Sequence, residues 1–109
     1  MNTLNVQATA QEQLEQASTT GSGRSASTLF GGHDNTLRQT VIAIAADHEL
    51  AEHESPGEAT LQVLIGHVRL VSGEMSWEGR AGDLLAIPDA RHSLLAVEDC
   101  AVLLTVAKK

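Results

Sequence analysis

No tyrosine occurs among the 109 residues, and phenylalanine and tryptophan occur once each. A surface that grips nucleobases by stacking needs more rings than two, and the interior has to be filled by Leu, Val, Ile and Ala. Basic residues are also scarce: seven Lys and Arg stand against fourteen Asp and Glu, a formal charge of −7. Nucleic acid and anionic membranes both require a basic footprint, so neither is an expected partner, and the acidity points to solubility. The single cysteine, Cys100, excludes an intramolecular disulfide and a cysteine-rich zinc site. Followed by AVLLTV, it reads as a small buried strand residue rather than a nucleophile. No apolar run approaches the roughly 20 residues of a membrane helix. The stretch MNTLNVQATAQEQLEQ lacks the basic start and apolar core of a secretion signal. The expectation is a soluble cytoplasmic protein.

What is present divides unevenly. Residues 1–28 hold a run of helix formers, VQATAQEQLEQAS, with a narrow apolar stripe at Val6, Ala10, Leu14 and Ala17. A Gly/Ser-rich segment, STTGSGRSAS, follows and reads as a linker. This part is expected to form an N-terminal arm, with a short helix. Residues 29–109 change character: short β-rich runs near 28–30, 37–45, 60–65, 67–72, 75–78, 83–87, 92–97 and 101–106 alternate with turn residues. That spacing predicts a single all-β sandwich or barrel. In TLQVLIG, strict alternation puts Leu61, Val63 and Ile65 on one apolar face, expected to look inward.

Two segments in this region resemble the motifs of the cupins, small barrels of the double-stranded β-helix or jelly-roll type. The family's second motif has the form G-x5-P-x-G-x2-H-x3-N. In GDLLAIPDARHSLLA, Gly82 and Pro88 match it, His92 arrives one position early, and Ala90 replaces the motif glycine. The first motif has the form G-x5-H-x-H-x3-4-E-x6-G. Counting back from Gly66 in HESPGEATLQVLIG places the glutamate position at Ala59 and the two histidine positions at Ser55 and His53. His53 and His92 therefore stand where the family presents ligands, while Ser55 and Ala59 vacate two such positions. The resemblance covers about residues 37–106 and implies the jelly-roll fold and a homodimer.

The resemblance also implies a chemistry. Metal-bearing cupins hold one divalent ion with three histidines and a carboxylate, ligand types that suit Fe, Mn, Ni, Cu or Zn. Two imidazoles alone are a weak set, since even catalytic zinc takes three protein ligands. Glu58 would complete a two-histidine, one-carboxylate set, provided that a bulge after Gly57 turned it inward; by strand parity alone it points out. The first reading is a barrel that binds a small molecule in a pocket of His53, Leu61, Val63, Ile65 and His92, in a sensing or accessory role. The second is a metal-dependent oxygenase or isomerase using His53, His92 and Glu58. The third is a structural barrel whose site has decayed. DHELAEHESPGE is expected to be a solvated loop and strand edge. His33 and His67 are expected to be exposed turn or outward-facing strand residues, and Trp77 to pack in the core or a hairpin.

Overall fold

The computed structural model describes residues 3–54 and 57–108. These residues form one helix, α1 (Val6–Thr19), and nine strands: β1 (Arg24–Phe30), β2 (Leu37–Ile44), β3 (Glu49–His53), β4 (Glu58–Ile65), β5 (His67–Ser72), β6 (Met75–Arg80), β7 (Leu84–Ala86), β8 (His92–Ala96) and β9 (Cys100–Ala107). Two antiparallel sheets, ordered β1-β2-β9-β4-β7 and β3-β8-β5-β6, face each other. The all-β jelly roll expected from the sequence is the architecture observed.

Parity divides the apolar residues between two layers. Ile44, Leu61, Val63, Val68, Leu70, Leu94, Ala96, Cys100 and Val102 fill the space between the sheets. Val41, Ala43 and Ala101 point the other way, where Ala10 and Ala17 of α1 cover them. The helix starts where the Asn5 side chain accepts a hydrogen bond from Ala8 N at 2.9 Å, satisfying one of the orphan donors of its first turn. Its contact face carries alanines, so the helix backbone lies close against the sheet.

The segment expected to be a linker is partly strand β1. Ser25 and Ser27 are half-buried toward the helix, and the Ser25 hydroxyl donates to Gln13 Oε1, with Gln16 Oε1 3.1 Å away. Short polar side chains suit a strand whose partners are backbone groups and a helix face. Strand β3 lies within DHELAEHESPGE, the segment expected to be loop and strand edge; its bounds carry no sequence signal, because only Leu50 among its five residues is large and aliphatic. It is an edge strand bonded to β8, and Arg24 Nη1 ties it to the other sheet by donating to Glu49 O at 3.1 Å.

Cys100 is fully buried among the inter-sheet residues, and burial pushes its thiol up to about 11. The unfolded thiol ionises near 8.5, so its contribution to stability is whole below that pH and is lost as pH rises toward 11. The urea midpoint of the protein is expected to fall between pH 8.5 and 11 by the equivalent of about 3 kcal/mol more than that of Cys100→Ala. Parallel curves for the two proteins would contradict a thiol held neutral by burial.

Candidate functional site

His53 and His92 come from strands far apart in sequence and are direct partners across β3 and β8. Their ring centroids are 4.5 Å apart with planes at 60°. A β-bulge produces this pairing. Leu50 opposes Leu94, yet three residues later His53 opposes His92, so Ala51 and Glu52 together face Ser93. Were the strand to run unbulged with all its residues kept, parity would turn Glu52 inward and His53 out. With it, Glu52 joins the outer surface, where Arg91 donates to it at 3.1 Å and also pairs with Glu54 at 3.5 Å. Hydrogen bonding to Glu52 raises the already high pKa of Arg91.

Each imidazole is anchored in the same way. His53 Nδ1 lies 2.9 Å from Ala51 O, and His92 Nδ1 lies 2.9 Å from Ala90 O. A carbonyl can only accept, so each Nδ1 carries a proton and donates it there, which leaves Nε2 as the ring atom open to a further partner. The bulge thus does two things: it aims His53 inward and supplies the carbonyl that fixes its tautomer. His92 is buried, at 4% exposure, whereas His53 sits exposed at the rim.

Behind the pair lies a cavity of about 30 Å³, lined besides the histidines by Ile42, Leu50, Leu61, Leu70, Ile87, Leu94 and Leu104. The lining is otherwise wholly aliphatic. Of the residues expected there, His53, Leu61 and His92 line it. Val63 faces the same interior but is sealed in the core. Ile65 does not belong to it: the ladder with β9 slips between Val63 and Ile65, so Leu64 and Ile65 both pack on the helix side. Ile42, Leu50, Leu70, Ile87, Leu94 and Leu104 belong to the lining as well; alternation along β2, β5, β8 and β9 signals Ile42, Leu70, Leu94 and Leu104, whereas Leu50 in polar β3 and Ile87 beyond β7 carry no such pattern.

The carboxylate expected from Glu58 is not in the site. Its ladder with β9 runs unbroken from Glu58 to Val63, so Glu58 shares the outward face of Thr60 and exposed Gln62, and Ala59 takes the inward position. Ser55, the other vacated ligand position, lies outside the described residues. Among the described residues no group of three or more His, Cys, Asp or Glu could hold a metal ion. Two imidazoles and an aliphatic wall do not fit a resident divalent ion, whose dehydration calls for several convergent ligands.

The remaining residues of interest lie elsewhere. His33 is exposed in the loop before β2. His67 faces outward as expected, but it is buried, at 8% exposure, and its Nε2 donates to Glu78 at 2.5 Å. That bond, with Arg69 nearby, holds the Glu78 carboxyl below its usual range. Trp77 is 37% exposed on edge strand β6, with Met75 and Leu84 also exposed; it sits in the β5–β6 hairpin opposite Leu70, not in the core.

No protein-family model matches the chain, and no curated protein does. Solved structures do match. A conserved protein of unknown function from Streptococcus pyogenes is 27% identical, with a TM-score of 0.72 over 83% of this chain and 78% of that one. An RmlC-like cupin from a Desulfovibrio desulfuricans subspecies is 25% identical, with a TM-score of 0.67 over 77% of this chain and 81% of that one. A salicylate 1,2-dioxygenase from Pseudaminobacter salicylatoxidans is 17% identical, with a TM-score of 0.75 over 92% of this chain and 33% of that one. The two-sheet barrel with its histidine pair at one end is a jelly roll of the cupin type. The chain is a small cupin-fold protein.

Proposed function

We propose that this barrel binds a small organic molecule at the His53–His92 pair, in a sensing or accessory role rather than by metal catalysis. One observation carries the reading: two opposed imidazoles, each with Nδ1 committed to a backbone carbonyl and Nε2 left for a further partner, line a cavity that is otherwise aliphatic. Such a pair accepts hydrogen bonds from an uncharged hydroxyl or N–H. The cavity offers no charge to neutralise an ion.

Size narrows the ligand. The cavity of about 30 Å³ exceeds the roughly 10–15 Å³ that one water molecule needs and is far below the roughly 300–1,000 Å³ typical of drug-sized sites. Only the end of a ligand enters, and the remainder lies at the rim beside His53.

Phenol and 1-propanol, each with one hydroxyl on an apolar body, are suitable probes. Titrations followed by amide chemical shifts are expected to perturb Leu50, His53, His92 and Leu94, and His92→Ala is expected to weaken the response about tenfold. Reconstitution with Fe, Mn, Ni, Cu and Zn is expected to leave the protein without stoichiometric metal. Stoichiometric metal that is lost in both His53→Ala and His92→Ala would restore the oxygenase or isomerase reading. Silence of those four amides toward both probes would defeat the binding one.

A further inference from the structure

The outer face of the β3-β8-β5-β6 sheet carries a groove of about 330 Å³ on the opposite side of the sheet from the histidine pair, lined by Asp47, His48, Arg69, Leu95, Ala96 and Val97. We infer that this groove binds a small zwitterion with an aliphatic side group, of the chemical class of an α-amino acid.

Three features support it. The first is chemical: a carboxylate, an imidazole and a guanidinium surround an apolar floor of Leu95 and exposed Val97, with the Ala96 backbone between them. Among the described residues, neither the Asp47 nor the His48 side chain makes a hydrogen bond or ion pair. Arg69 uses only Nη2, toward Glu78 at 3.4 Å, so its other donors are uncommitted. With both signs displayed and a chain of net charge −7, a lone anion gains little here. A molecule with its ammonium on Asp47 and its carboxylate on Arg69 and His48 meets every charged group at once.

The second feature is rigidity. The turn that presents Asp47 and His48 is pinned by Asp47 N to Ala96 O at 3.0 Å, Ala96 N to His48 O at 3.0 Å and His48 N to Ala45 O at 3.1 Å. Ala46 N also donates to Asp99 Oδ1 at 2.8 Å, and the His48 ring lies against Gly23. Such a turn holds its side chains in place before a ligand arrives. The third feature is backbone conformation: Asp47 is the one non-glycine residue among those described with positive φ, at 70°, a region that Asp tolerates better than most side chains, so the turn carries a carboxylate at this point without strain.

The test is a titration with L-leucine followed by amide chemical shifts, beside N-acetyl-leucine, which lacks the ammonium, and leucine methyl ester, which lacks the carboxylate. L-Leucine is expected to shift the amides of Asp47, His48, Arg69 and Val97, and each derivative to bind about fivefold more weakly or worse. Asp47→Asn, which keeps a residue suited to positive φ, and Arg69→Gln are each expected to cause a similar loss, while His92→Ala causes none. Equal binding of leucine and N-acetyl-leucine, shifts confined to His53 and His92, or no shifts at all would overturn the assignment. So would indifference to Asp47→Asn.

Discussion

Replacing Gly66 with alanine is expected to cost about 4 kcal/mol, a large part of the 5–15 kcal/mol by which a domain of this kind is stable. Gly66 joins β4 to β5 at φ +85°, and a Cβ there would lie 2.1 Å from Asp99 O and 3.0 Å from Cys100 Cα. Both obstacles are backbone, so no rotamer change relieves them. The turn between β8 and β9 would have to move, and with it the ladder that holds β4 against β9. Two other glycines separate the contributions. Gly73 and Gly82 also have positive φ, at +59° and +97°, but nothing lies within 4 Å of a Cβ on either. Alanine there incurs only the left-handed penalty, about 1 kcal/mol. Urea unfolding of the three variants checks this: a midpoint for Gly66→Ala level with that of Gly82→Ala would show that the Asp99 contact yields without cost.

Leu70→Ala is expected to destabilise the protein by 2–5 kcal/mol (a rough range) and at the same time to open the site. Leu70 is 1% exposed, pairs with Leu94 and Trp77 across its two neighbours, and forms part of the cavity wall. Removing most of its side chain joins the lost volume to the existing cavity of about 30 Å³. Apolar cavities of that kind stay dry and accept apolar guests. Benzene is therefore expected to raise the melting temperature of Leu70→Ala, by binding only the folded state, and to leave the parent protein unmoved. A parent protein that responds equally would mean that the aliphatic wall already breathes enough to admit a ring, and the size limit placed on the natural ligand would fall.

How much of this was legible beforehand depends on the side chains each strand carries. Strands β4, β5, β8 and β9 announce themselves because Leu, Val and Ile alternate or run together, and the glycines and Pro88 between them mark the turns. The spacing from Gly66 back to His53, and from Gly82 to His92, selected two histidines that the fold sets directly opposite each other. Three things were hidden. Strand β3 is polar and lies at an edge, where backbone pairing with β8 rather than burial defines it. Only the end of strand β1, near residues 28–30, was legible; its first half is written in Arg, Ser and Ala, and its order comes from β2 and α1. The slip near Ile65 breaks the alternation that assigned that residue inward, and no residue type in TLQVLIG marks where a bulge will fall. Glu58 shows the reverse: its parity did hold, and the bulge that would have turned it inward is absent from the described ladder.

The bulge in β3 has a meaning beyond geometry. Ala51, Glu52 and His53 are three consecutive residues, and a single residue of slack decides which of the last two looks into the barrel. Straightening the strand without shortening it would exchange an imidazole for a carboxylate opposite His92, and the opening would pass from a neutral acceptor pair to an acid–base couple. Shortening it by Ala51 would keep His53 in place and take away the carbonyl that fixes its tautomer. In this barrel an insertion or deletion at one edge strand can therefore rewrite the site's chemistry more thoroughly than a point substitution, with every ligand-forming residue still present in the sequence.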